Sequence, residues 1–170
     1  MADRSNLIKL IAAGASMLAL GVSGAATAAT TSGNLSVTAT VTANCTVSTS
    51  PVAFGSVNTL SGASVDAAGN VTVTCTNGTT WAASAGAGTG TGATLASRKL
   101  VSGSDLLNYS LFTDSGRSSV WGDGAGSTAT ITGTGTGTGQ AQTIYGRVAA
   151  GQASAPAGSY ADTVAVTLTY

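Results

Sequence analysis

The chain has 170 residues, no histidine and a formal net charge of zero, and 7% of its residues are charged, against roughly a quarter in an ordinary soluble domain. That excludes a nucleic-acid binder, which needs a dense basic face to displace counterions. It also removes the commonest general base and leaves a surface that does little to prevent association.

The N-terminal segment reads as a leader. Arg4 and Lys9 precede an apolar, small-residue run from Leu10 to Gly24, and Ala26, Thr27 and Ala28 form an A-x-A cleavage signal. Residues 1–28 are therefore expected to be a secretory signal peptide cleaved after Ala28. A membrane anchor fits less well, because the run is short and rich in Gly, Ala and Ser. What remains is the size of one domain, expected as an arm over 29–43 and a folded domain over 44–170.

The mature part opens with GNLSVTATVTANC, Gly33 to Cys45. Leu35, Val37, Ala39, Val41, Ala43 and Cys45 share one face of an extended chain, and Ser36, Thr38, Thr40, Thr42 and Asn44 share the other. Next, NVTVTC places Val71, Val73 and Cys75 on one face. LNYSLFT aligns Leu107, Tyr109 and Leu111, and TIYGRV sets Ile144 and Val148 opposite Tyr145. The chain closes on YADTVAVTLTY, with Tyr160, Val164, Val166, Leu168 and Tyr170 on one face. Period two with β-branched residues predicts strands. Turn signals at Asn77-Gly78, Ser102, Ser115 and GDGAGS (122–127) separate them. The segment around Arg98 reads as loop or strand, so the pattern predicts an all-β sandwich or barrel.

Two cysteines in a secreted chain predict a Cys45–Cys75 disulfide, which would stabilise by roughly 3–4 kcal/mol in the chain-entropy model. The alternatives are free thiols or a metal site. With no histidine or glutamate nearby, the two cysteines make a poor metal site, so no metal is expected.

GAGTGTG (86–92) and GTGTGTG (133–139) suggest a phosphate-cradling loop, but neither opens a helix pattern or carries the required lysine. They read as glycine-rich turns or loose strand edges facing solvent, the second pairing weakly before Tyr145. Asp66, Asp105, Asp114, Asp123 and Asp162 sit beside turn or strand-end signals and read as turn residues rather than catalytic pairs. One carboxylate in GDGAGS is too few for calcium, and no GxSxG or SxxK arrangement occurs. An enzyme is not expected. The sequons at Asn34, Asn44, Asn70, Asn77 and Asn108 carry little weight in a chain so rich in Ser and Thr.

The two alternating ends carry the functional reading. A closing strand with a core-like face at a sheet edge invites pairing with another chain. The uncharged arm suits that role, and arm-to-neighbour pairing is a heterologous contact that builds open fibres.

The residues ANCTV (43–47), Phe54-Gly55, VTVTCTNGT (71–79), LNYSLFTD (107–114), Arg117, Trp121-Gly122, YGRVAAGQ (145–152) and GSYADTVAVTLTY (158–170) carry a resemblance. The chain resembles the spore coat protein U domain family, which includes the major pilins of archaic chaperone–usher pili. The resemblance implies an incomplete immunoglobulin-like sandwich lacking its last strand. It implies a periplasmic chaperone that fills the gap, and an outer-membrane usher that exchanges it for the next identical subunit's arm, with tip and minor pilins as further partners. It implies that Leu35, Val37, Ala39 and Val41 fill the slot and that Tyr160, Val164, Val166, Leu168 and Tyr170 form its wall. The Tyr170 carboxylate would anchor the chaperone, and Cys45–Cys75 would be the family's disulfide. No small-molecule cofactor is implied. The expected function is a fibre subunit reaching the cell surface through the periplasm and serving attachment or biofilm. The alternatives are a secreted coat protein, or a tip adhesin using exposed Trp81, Trp121 or Tyr145, although aromatics in a sandwich more often belong to the core.

Overall fold

Alternation becomes strand where a neighbour takes up the backbone hydrogen bonds. The computed structural model describes residues 26–170, so the basic start and apolar run of the expected leader lie outside the described residues. The chain divides into two units, Met1–Ala39 and Thr40–Tyr170. In the first, residues 26–39 carry no strand, and Leu35 and Val37 are exposed despite their alternation.

The second unit has ten strands: β1 (Cys45–Ser50), β2 (Val65–Cys75), β3 (Thr80–Ala85), β4 (Arg98–Ser102), β5 (Asp105–Phe112), β6 (Val120–Trp121), β7 (Thr128–Ala129), β8 (Ile131–Thr134), β9 (Gln140–Val148) and β10 (Val166–Thr169). One sheet runs β1-β2-β9-β5-β6-β7, with β4 also on β5; the other runs β10-β3-β8. There is no helix among the described residues. The fold is the expected all-β, sandwich-like architecture.

The inward faces follow the period-two pattern. Val71, Val73 and Cys75 on β2, Leu107, Tyr109 and Leu111 on β5, and Ile144 and Val148 on β9 are buried. Trp81, Ala83 and Ala85 of β3 come from the other sheet. Leu168 and Ile131 flank Ala83 in register, so one small residue sits between two large ones. Both tryptophans tie the sheets together. Trp121 Nε1 donates to Ala83 O at 3.1 Å, and Trp81 Nε1 donates to Gln140 Oε1 at 3.3 Å. The idea that these rings are exposed for ligand binding is thereby corrected: Trp81 and Trp121 are core.

Strand extents depart from the sequence pattern where packing decides them. β2 and β9 begin earlier than expected because they pair with each other along nine residues. TWAASA (80–85) has too little branched residue content to signal a strand, yet it forms β3 between β8 and β10. The second glycine–threonine run is not loose throughout. Gly133 belongs to β8, where a Cβ would collide with the Trp81 indole, so glycine is required for the ring to lie there.

Candidate functional site

β1 and β10 are terminal strands of different sheets, and among the described residues neither has a partner on its outer side. The two strands approach each other. The chain leaving β1 (residues 52–60) and the chain entering β10 (153–162) line one cleft of about 1090 Å³. One side of the sandwich is thus a seam between two unpaired edges, and the cleft lies among the segments that leave β1 and enter β10. Edges of this kind present backbone donors and acceptors to a further strand.

The cleft has a mixed lining, with Ser56, Asn58, Thr59, Ser159 and Asp162 beside its apolar side chains. Val52, Phe54, Val57, Leu60, Leu100, Leu107, Ala155 and Tyr160 line it. Phe54 meets the Tyr109 ring edge-on, with centroids 6.0 Å apart. Gly146 of β9 makes this seating possible, because a Cβ there would stand 2.6 Å from Val52 and 2.8 Å from Phe54. Leu60 stands at the rim and is 81% exposed.

The closing stretch forms one wall. Tyr160, Val164, Val166 and Leu168 are half-buried against the core, and the Tyr160 hydroxyl donates to Pro156 O at 2.9 Å. Tyr170 is 58% exposed and borders a separate shallow hollow with Thr80, Trp81 and Thr169. Leu35, Val37 and Ala39 are exposed in the first unit, and Val41 is exposed in the second. Cys45 and Cys75 face each other across the β1–β2 ladder, bonded, with Cα atoms 4.1 Å apart. The disulfide fastens the edge strand β1 at its first residue.

The closing stretch changes sheets. Val101 of β4 exchanges two backbone hydrogen bonds with Ala161, at 2.8 and 3.0 Å. Four residues later Ala165 O accepts from Gly86 N at 2.9 Å, and β10 then pairs with β3. Asp162 sits at the crossover. Its Oδ1 accepts from the Thr89 N–H and hydroxyl, both at 2.8 Å, and from the Thr163 N–H at 2.7 Å. Its Oδ2 accepts from the Tyr109 hydroxyl at 2.7 Å. Burial pushes the Asp162 pKa up, but these hydrogen bonds outweigh it and hold the carboxyl below its usual range. Burial, then the bond to Asp162, pushes Tyr109 well above its ordinary value.

Arg98 completes the polar support. It is fully buried, and its guanidinium donates to Gly86 O at 2.9 Å, Leu95 O at 2.8 Å and Trp121 O at 2.7 Å. Burial draws its pKa down, while the nearby Tyr109 and Asp162 act in the opposite sense.

Sequence reasoning missed these roles. The turn signal beside Asp162 points to a turn residue, whereas in the fold Asp162 pins the wall. Asp66 also differs from a turn residue: Arg147 grips both of its oxygens, at 2.7 and 2.8 Å, across the β2–β9 pair. Asp114 and Asp123 do act as turn residues, accepting from the Ser118 and Ser119 N–H groups and from the Ala125 N–H. The available signal was scarcity: in a chain this poor in charge, an aspartate inside the closing apolar alternation is conspicuous.

Two facing sheets with two unpartnered edges on one side define an open sandwich of the immunoglobulin-like pilin type. The Spore Coat Protein U domain model matches residues 31–167, and the chain belongs to that family. Among solved structures it is similar to a chain in the crystal structure of the CsuC–CsuE chaperone–tip adhesion subunit pre-assembly complex, from the archaic chaperone-usher Csu pili of Acinetobacter baumannii. That similarity has a TM-score of 0.57 at 20% identity and covers 77% of this chain. The present chain spans 40% of the length of that one. No curated protein matches the sequence.

Proposed function

We propose that the protein is a structural subunit of an extracellular chaperone–usher fibre, built by donation of one subunit's arm to the next. The observation that carries this reading is the seam: two unpaired edges, β1 and β10, on different sheets and close to each other. In this reading Leu35, Val37, Ala39 and Val41 of one copy add a strand between β1 and β10 of another. Val164, Val166 and Leu168 form the receiving wall, with Tyr160 at the cleft end and Tyr170 at the other. The alternation matches a slot with one apolar side, and the exposed face, Ser36, Thr38, Thr40 and Thr42, solvates readily. A periplasmic chaperone covers the seam before assembly, and an outer-membrane usher exchanges it for the arm. The fibre then serves surface attachment or biofilm. The domain borders follow from the same reading: leader 1–28, arm 29–43 and receiving domain 44–170.

The test is a thermal melt of the chain from Thr42 onward, disulfide intact, with and without a peptide covering Ser32 to Ala43. A large rise in melting temperature, absent with a Val37→Asp peptide, is expected. A stable arm-less domain that ignores the peptide would remove the mechanism.

A further inference from the structure

The β2–β3 turn holds the one Asn-Gly pair in the sequence, Asn77-Gly78. Asn77 is exposed, Thr79 N–H donates to Thr76 O at 3.0 Å, and Gly78 has a φ of +81°. Asn-Gly pairs have a known chemical weakness, because a glycine lacking Cβ lets its backbone nitrogen approach the neighbouring side chain. Once the Gly78 nitrogen gives up its proton to solvent base, it can attack Asn77 Cγ. The new N–C bond closes a succinimide ring, the Cγ–Nδ2 bond breaks, and the nitrogen departs as ammonia. Water then opens the ring at either carbonyl, leaving aspartate or isoaspartate at position 77.

In this fold that nitrogen is engaged. The Gly78 N–H donates to Gly135 O at 2.9 Å. Gly135 N–H donates back to Thr79 O at 2.7 Å, and Gly137 N–H donates to Cys75 O at 3.0 Å. The glycine–threonine segment after β8 is thus laced across the turn by three backbone hydrogen bonds. Gly135 is buried, and a Cβ there would stand 2.5 Å from Thr76 O and 2.7 Å from Cys75 Cβ, so the close approach depends on glycine. A proton held in a hydrogen bond is harder to remove, and a nitrogen fixed toward Gly135 is not turned toward Cγ.

We infer that Asn77 is a latent deamidation site and that the 135–139 segment guards it. The inference gives the second glycine–threonine tract a role that strand pairing alone does not, and it stands independently of fibre assembly. Its consequence is local but severe. Isoaspartate inserts an extra backbone carbon between Cys75 and β3, the strand on which β10 is aligned.

The experiment incubates the purified chain, disulfide intact, at mildly alkaline pH and follows Asn77 by peptide mass mapping, with Gly78 amide exchange measured in parallel. The native chain is expected to keep Asn77. Gly135→Ala is expected to lose it at least about fivefold faster, the factor that ~1 kcal/mol of lost protection represents. Equal rates in the two chains, or rapid loss in the native one, would overturn the proposal. Should Gly135→Ala fold poorly, the native chain is followed in rising sub-denaturing urea. Loss of Asn77 is expected to rise in step with Gly78 amide exchange, whereas a Gly78 amide that exchanges in the native chain as freely as an exposed one removes the guard.

Discussion

The arm and the closing stretch are written in nearly the same code. Both alternate apolar residues with threonine or alanine, and both lack basic residues. Yet Leu35 and Val37 are exposed and without strand pairing, whereas Val166 and Leu168 are half-buried and paired to β3. Alternation therefore specifies which face can be buried. It does not specify whether a partner exists to bury it. The closing stretch obtains its partners within the chain, from Val101, Gly86 and β3.

A charge placed in each stretch should separate the two most sharply. Leu168→Asp puts a carboxylate on the core face of β10, beside Ala83, and it should remove about 4 kcal/mol of stability, read as a lower urea midpoint. Val37→Asp should leave the monomer's melting unchanged while abolishing fibre formation, seen by electron microscopy. Thr38→Asp, on the opposite face, should impair assembly far less. Equal effects of Val37→Asp and Thr38→Asp on fibres would mean that the arm is not read by face.

Reducing the disulfide tests how much the seam depends on its fastened edge. Loss of Cys45–Cys75 should cost roughly 3–4 kcal/mol for a closed loop of this size. Amide exchange should accelerate most along β1, the edge strand it secures. Uniform acceleration across both sheets would mean that the bond acts on the unfolded chain alone.

Arg98→Met probes the support beneath the closing stretch. It strips the charged donor from the Gly86, Leu95 and Trp121 carbonyls and should cost about 3 kcal/mol by denaturant unfolding. A near-neutral result would show that the carbonyls find other donors.

The smallest effects belong to the surface. Asp66→Asn weakens surface pairs with Arg147 and Arg117 and should lower the urea midpoint least of these variants. The pH dependence follows from the same carboxylates. Asp66, Asp114, Asp123 and Asp162 all have lowered pKa values in the fold. Their contribution is fully present above the ordinary carboxylate value and is lost as pH falls through the lowered ones. Without histidine, the melting temperature should be flat across neutral pH and should fall only below about pH 4. A transition near pH 6 would contradict this assignment.

Much of this was legible in the sequence. The buried faces of β2, β5 and β9 follow directly from Val71, Val73, Leu107, Leu111, Ile144 and Val148, because period two with branched residues has few other uses. The disulfide was legible because the sequence holds just two cysteines and no histidine to make a metal site with them. β3 was not legible, since Ala83 and Ala85 are small opposite Leu168, Ile131 and Val166, and smallness alone looks like a turn. Nor were Asp162, whose partners Thr89 and Tyr109 lie far along the chain, and Arg98, whose partners are backbone carbonyls that no side-chain pattern marks. A residue pairing with Tyr109 from 53 positions away leaves no local trace. The guarding of Gly78 by Gly135 was hidden for the same reason: a glycine that must be small for its neighbour's sake resembles one that is merely flexible.

The change of sheet at Asp162 has a mechanical consequence. A strand that belongs to one sheet can be peeled from its end, one hydrogen bond at a time. Here tension drawn along β10 meets bonds that lie perpendicular to the strand, so they resist together in shear. At Ala165 and Ala161 the load passes first to Gly86 and then to Val101, reaching both layers of the sandwich. Pulling on this strand strains the whole domain before it frees the strand.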